Sequence, residues 1–239
     1  MKAMLFAAGL GTRLRPLTND KPKALVEIQK GVTLLEYNLR YLQSFGIDTV
    51  VVNIHHFGEK VLDILAKNNN FGSQILISDE RDQVLETGGG LQKAALFFEG
   101  EKDILLYNVD VISTIDLHQM LDYHQQQGGL ATLACRQRTS SRYLLFQEQQ
   151  LCGWQNTKTG EIINPLGKSN HTPLAFSGIH MVQQDLLAML PQGGCYSITP
   201  TYLELMAKGQ KIVAYPHDQD AWFDVGKPEK LSIARQFCS

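Results

Sequence analysis

Four cations, Arg13, Arg15, Lys21 and Lys23, crowd into one short stretch near the start of the chain. Gly9 and Gly11 precede them, and Pro16 and Pro22 punctuate the run. Glycine lets a backbone approach a ligand closely and take positive φ. Successive amides in such a turn form an anion-binding concavity, and Arg side chains grip phosphate oxygens in pairs. The chemistry of this stretch is to hold a polyphosphate. Its spacing sets aside two common phosphate sites. Leu14 stands where the third glycine of a dinucleotide fingerprint would be, and no Gly-Lys-Ser/Thr follows. A dehydrogenase and an ordinary P-loop NTPase are therefore disfavoured.

Two acids are candidates to work with that loop. Asp110 follows the apolar run Asp103–Tyr107, and Asp224 lies in Trp-Phe-Asp-Val-Gly. A carboxylate at a strand's carboxyl end can hold Mg²⁺ on a substrate phosphate, and two acids can share one ion. Either acid taken alone also reads as a turn or capping residue. Gly88, Gly89 and Gly90 cost conformational entropy, which close approach of a ligand would explain; a flexible turn is the plainer alternative. His55-His56 could line a pocket or serve structure, since neither has metal-ligand spacing.

These groups need elements to position them. Ala3–Ala8 and the β-branched run Thr49–Ile54 read as buried strands. Gln74–Ile77, Asp103–Tyr107 and Leu130–Arg136 read as further strands. Helical spacing covers Leu34–Phe45, Glu59–Lys67, about Leu91–Phe98 after the glycines, and Ile115–Gln127. Alternating strands and helices through residue 136 imply an α/β fold with a mainly parallel sheet. Beyond it a hairpin (142–146 with 150–154), strands at 174–182, 211–215 and 222–226, and helices at 183–190, 199–208 and 228–237 add a more β-rich part. Ligands in such sheets sit outside the carboxyl ends of the strands. The cation-rich loop, Asn53–His56 and Asn108–Asp110 all lie at such ends, which points to one site.

The composition fits this picture. The chain has 239 residues, 44% of them apolar, and a net charge of −2. A broad nucleic-acid surface is disfavoured by that charge, whereas a local basic pocket is compatible with it, and no run approaches the length of a membrane span. Cys135, Cys152, Cys195 and Cys238 are scattered, as free thiols in a reducing, cytoplasmic compartment would be.

Leu5–Ile28 closely resembles the amino-terminal motif of the sugar-1-phosphate nucleotidyltransferases (nucleotide-sugar pyrophosphorylases), L-x-A-G-x-G-T-R-L-x-P-L-T-x-x-x-P-K-x-L. Glu86–Gly90, Asp110, Phe176–Ile179 and Asp224-Val-Gly match in order, so the resemblance spans nearly the whole chain. It is strongest to short-chain N-acetylmuramate-1-phosphate uridylyltransferases. The resemblance implies a Rossmann-like mixed sheet flanked by helices, the nucleotide-diphospho-sugar transferase fold. It implies one domain over 1–239, with 1–136 mainly nucleotide-binding and 137–239 mainly sugar-phosphate-binding. The substrates it implies are an NTP, expected to be UTP, and a sugar 1-phosphate, in a monomer or small homo-oligomer with Mg²⁺. Guanylyl-, thymidylyl- and cytidylyltransferases keep the same reaction, and a non-catalytic nucleotide-binding subunit is the alternative of another class.

By the same resemblance, Ala8, Gly9, Gly11 and Thr12 hold the nucleotide. Arg13 neutralises the departing phosphates, and Lys23 acts at the α-phosphate. Gly88 and Gly89 admit the base, with Glu80 nearby. Asn53, Asn108 and Gly178 contact sugar or phosphate, and Asp110 with Asp224 holds the metal. The chain departs from the family at two places. Val109 replaces the usual glycine before the metal acid, which would narrow the site. No Glu-Lys-Pro segment is present; Trp154-Gln155-Asn156 occupies its place, with Asn156 as the substitute polar contact.

Overall fold

The amino-terminal apolar run becomes β1 (Lys2–Phe6), which is buried on both faces. Ala3 and Leu5 enter one apolar layer, and Met4 and Phe6 the other. This is the signature of a central strand covered on both sides. The structure is a computed structural model and describes residues 1–238.

After β1 come a short ribbon, β2 (Glu27–Gln29) with β3 (Val32–Thr33), and α1 (Leu34–Gln43). Then follow β4 (Thr49–Ile54), α2 (Gly58–Lys67), β5 (Gln74–Asp79), α3 (Glu86–Lys93) and β6 (Asp103–Asn108). β7 (Val111–Ser113), α4 (Leu117–Gln127) and β8 (Ala131–Arg136) lead to the meander β9 (Arg142–Gln147), β10 (Gln150–Asn156) and β11 (Glu161–Ile163). The chain continues through β12 (Thr172–Gln183), α5 (Asp185–Ala188), α6 (Ile198–Ala207), β13 (Ile212–Pro216), β14 (Trp222–Asp224) and α7 (Pro228–Cys238).

Ten strands form one sheet in the order β11-β10-β13-β8-β12-β6-β1-β4-β5, with β9 pairing β10 and β12. β6, β1, β4 and β5 are mutually parallel, and so are β8 and β13. β12 runs antiparallel between β6 and β8 and joins the two blocks. Leu39 of α1, Val61 of α2, Met120 of α4 and Leu231 of α7 pack on one face. Leu91 of α3, Leu186 of α5 and Tyr202 of α6 pack on the other. The expected α/β class and mixed sheet are what the chain adopts.

Several boundaries differ from expectation for identifiable reasons. β1 stops at Phe6 because the amides of Ala7 and Ala8 turn to the Asn53 side chain instead of continuing the ladder. α4 starts at Leu117 because the Asp116 carboxylate caps the amides of His118 and Gln119 at 2.9 and 3.0 Å. The helix expected at 183–190 shrinks to the single turn of α5. The helix expected after Gly88–Gly90 in fact begins at Glu86 and contains all three glycines. Among the described residues no helix is long and apolar enough to cross a membrane.

Candidate active site

The phosphate-type loop is tied down where it leaves the sheet. Asn53, buried near the carboxyl end of β4, accepts from Ala7 N–H at 2.6 Å and Ala8 N–H at 3.2 Å. Gly9 and Leu10 are then exposed. Gly11 turns the chain with φ +63, in the left-handed region that favours glycine. The Thr18 hydroxyl donates to Gly11 O at 2.8 Å and holds that turn from the side. Thr12–Leu14 is one 3₁₀ turn, which sinks Leu14 into the core and leaves Arg13 exposed. The chain then passes Pro22 into a second 3₁₀ turn, Lys23–Leu25. Lys23 reaches back beneath the first turn, its Nζ 3.7 Å from where a Gly9 Cβ would stand.

Lys23 Nζ also lies 2.7 Å from Asp110 Oδ2, and both side chains are largely buried, 14% and 10% exposed. Asp110 follows β6, and β7 begins immediately after it. β7 pairs antiparallel with β14 in a register that sets Asp224 opposite Val111. Val225 N–H donates to Asp110 O at 2.9 Å, and Gly226 N–H to Asp224 Oδ1 at 2.9 Å. The two acids are thus brought together by backbone pairing. A methyl group on Gly226 would lie 2.8 Å from Arg13 Nη2, 2.9 Å from Asp224 Oδ1 and 3.1 Å from Asp110 Oδ2. Three of the four charged candidates border one small volume, and Lys23 closes it from the Asp110 side. A side chain there would displace these charged groups, so the glycine of Asp224-Val-Gly keeps the volume open, although in the sequence it reads only as a turn. Thr18 is a second residue that sequence reasoning missed.

Converging hard oxygen donors suit a divalent cation that keeps few protein ligands. Mg²⁺ is held by one or two carboxylates and takes its remaining ligands from water and substrate phosphates. No group of three or more His, Cys, Asp or Glu that could hold a metal occurs among the described residues. Asp110 and Asp224 fit such a two-carboxylate arrangement, and the Lys23 ammonium now supplies positive charge to one of them.

Other expected site residues are placed differently. Asn53 is not available to a sugar, because its Oδ1 holds the loop amides and its Nδ2 donates to Glu80 Oε1 at 2.8 Å. Glu80 is itself only 1% exposed, and burial pushes its carboxyl pKa up, against the lowering by Asn53 and the Leu85 amide. In this structure both bond to the chain itself, Asn53 to the loop amides and to Glu80, and Glu80 to Asn53 and the Leu85 amide. Gly88, Gly89 and Gly90 are buried, and each packs closely against its own chain. A methyl on Gly88 would overlap the Tyr196 ring, one on Gly89 the Gly194 carbonyl, and one on Gly90 would lie 2.7 Å from Glu80 Oε1. Their own chain fills the space on the side where a side chain would project.

Asn108 and Gly178 do meet. Gly178 has φ +77, and a methyl on it would stand 2.6 Å from Asn108 Nδ2. Asn156 stands apart from this cluster, its Oδ1 accepting from Lys158 N–H at 3.0 Å in the β10–β11 turn. Val109 does not narrow the site as expected: its side chain is fully buried in the core, and its carbonyl accepts from Asn38 at 2.9 Å. His55 bonds through Nδ1 to Glu80 O at 2.6 Å, a structural use.

The chain is similar to known proteins along nearly its whole length. Residues 2–239 match the nucleotidyl transferase family. An N-acetylmuramate alpha-1-phosphate uridylyltransferase from Caulobacter vibrioides is 33% identical over 234 residues, covering 95% of this chain and 92% of that protein. A UTP–glucose-1-phosphate uridylyltransferase from Synechocystis is 28% identical over 253 residues, covering 95% of this chain and 60% of that longer protein. The crystal structure of HddC from Yersinia pseudotuberculosis superposes with a TM-score of 0.77 over 100% of this chain and 99% of that one, at 19% identity, a likeness of fold.

Proposed function

Because the chain belongs to the nucleotidyl transferase family, we propose that it is a uridylyltransferase that joins UTP to N-acetylmuramate 1-phosphate and releases pyrophosphate. The observation that carries this reading is the meeting of Arg13, Lys23, Asp110 and Asp224 around Gly226 and the loop. In the reaction an oxygen of the sugar phosphate forms a bond to the α-phosphorus. The bond from that phosphorus to the bridging oxygen breaks, and pyrophosphate leaves with the electron pair.

A phosphate monoester has its second pKa near ~6 and arrives largely ionised at neutral pH. No protein base is needed to generate the nucleophile. The remaining demands are in-line placement and neutralisation of charge. The Ala8–Thr12 backbone cradles the triphosphate, in the proposed nucleotide half 1–136. Arg13 faces the β- and γ-phosphates as their charge grows, and Lys23 leaves Asp110 for the α-phosphate oxygens. Asn108 and Gly178 border the sugar side, at the edge of the half 137–239. Mg²⁺ held by Asp110 and Asp224 would supply the remaining positive charge. A preorganised donor of this kind contributes about 3–4 kcal/mol to a transition state.

The test is pyrophosphate release in the cytosol-like conditions of neutral pH and millimolar Mg²⁺. UTP, GTP, dTTP and CTP are each paired with N-acetylmuramate 1-phosphate, glucose 1-phosphate, mannose 1-phosphate and phosphocholine. Turnover with UTP and N-acetylmuramate 1-phosphate is expected to exceed every other pair. A higher kcat/KM for another pair moves the substrate assignment to that pair, and no release from any pair overturns the reading.

A further inference from the structure

One half-buried cation at the rim of this cluster has no role in the scheme above. Arg138 lies just past the carboxyl end of β8, which is separated from β6 by β12 alone. Its guanidinium stacks over the Trp222 ring, 4.6 Å from the centroid. Its Nη2 donates to Phe176 O at 3.0 Å, while its Nε is buried with no partner. Among the described residues no carboxylate lies within ion-pair distance of it.

Both supports belong to the site. Trp222 stands two residues before Asp224 in β14, and its indole N–H donates to Ser177 O at 2.9 Å. Phe176 stands two residues before Gly178, against which Asn108 packs. The aromatic face and the carbonyl fix the plane of the guanidinium before any ligand arrives. Burial lowers the Arg138 pKa, and nearby Asp224 works against that fall; a guanidinium nonetheless stays charged in proteins. Holding a charge at a desolvation cost without an ionic partner is unfavourable unless an anion joins it.

We infer that Arg138 receives the phosphate of the sugar 1-phosphate and so fixes the side from which the acceptor oxygen meets the α-phosphorus. The inference rests on the proposed reaction. It supplies the acceptor-side cation that Asn156, tied into its own turn, does not. Arg13 borders both acids at Gly226 and Lys23 pairs with Asp110, whereas Arg138 touches neither acid and stacks on Trp222, two residues before Asp224. A planar guanidinium already aligned on an aromatic ring can offer paired N–H groups to a phosphate.

The experiment compares wild type with Arg138→Gln and Arg138→Lys in steady-state assays with UTP and N-acetylmuramate 1-phosphate, or the best acceptor found. Arg138→Gln is expected to raise KM for the sugar phosphate about tenfold or more while KM for UTP stays within about twofold. Arg138→Lys should recover part of the loss. Equal rises in both KM values, or no rise in either, overturn the inference. If wild type releases no pyrophosphate from any pair, the proposed reaction falls, and Arg138 is then judged without turnover. Inorganic phosphate binding is followed by phosphorus NMR on proteins shown to be folded by circular dichroism. About tenfold weaker binding by Arg138→Gln supports the assignment; equal binding, or none by wild type, overturns it.

Discussion

Two glycine-rich stretches of this molecule use their lack of side chains in opposite ways. Gly9–Gly11 is exposed or half-exposed, and a methyl on Gly9 would make only an ordinary contact, 3.7 Å from Lys23 Nζ. Gly88–Gly90 is buried, and added methyls would strike Tyr196, the Gly194 carbonyl and Glu80. The first stretch keeps space open beside charged groups. The second gives its space to the chain itself: Tyr196 O accepts from Gly88 N–H at 2.9 Å and Gly89 N–H at 3.2 Å. An excess of glycine reports that room is needed and is silent about what fills it. The two stretches are also joined. Asn53 links the amides of Ala7 and Ala8 to Glu80, whose carboxylate borders Gly90.

The sharpest way to strain this comparison is Lys23→Ala, which removes the cation under the open loop. We expect kcat to fall about a thousandfold with a smaller change in KM for UTP. A raised KM with kcat intact would place Lys23 in binding alone. Next comes Gly89→Ala in the closed stretch. Its Cβ meets a backbone carbonyl that cannot rotate aside, so a stability loss of about 3 kcal/mol is expected in chemical denaturation. An unchanged midpoint would mean that the 193–196 segment yields freely.

Gly9→Ala is the matched change in the open stretch. Stability should hold within about 0.5 kcal/mol, while KM for UTP rises several-fold because the backbone can no longer approach the triphosphate. If denaturation shows the opposite ranking of Gly9→Ala and Gly89→Ala, the contrast between the stretches is wrong. The smallest effect is expected at the link. The Glu80 carboxyl has a folded pKa above its unfolded value of 4.5. The folded state therefore binds the extra proton, and this group's stability contribution grows as pH falls toward 4.5. Glu80→Gln lacks that titration. The Tm difference, variant minus wild type, should become less positive from pH 7 to pH 5; a difference flat with pH would show that Glu80 does not titrate in this way.

Much of the site was legible because its chemistry is carried by local sequence. The cations at 13 and 23, the turn at Gly11 and the acids at 110 and 224 sit next to residues that announce their geometry. What was illegible depends on partners far along the chain. Asn53 reads as a polar strand end, and nothing within its own segment says that it holds amides at positions 7 and 8. The occupants of the Gly88–Gly90 space come from residues 194 and 196. Val109 reads as an obstruction because sequence does not tell which way its side chain points, and it points into the core. The sequence points to a helix start after the glycines, later than Glu86, because glycine is a poor helix former. Here burial and the contacts with Tyr196 outweigh that cost. β14 falls within the strand expected at 222–226, but its partner β7 is too brief for periodicity to reveal, and their register unites the two acids.

That ribbon also orders events during synthesis. Residue 110 leaves the ribosome long before residue 224, and until β14 emerges Asp110 lacks the amide of Val225 and the neighbouring carboxylate. A nascent chain therefore carries the whole cation-rich loop while its acid pair is still half missing. A chain truncated before residue 222 would keep the loop sequence and Asp110 but lack Asp224 and the Gly226 that lies between the two acids and Arg13.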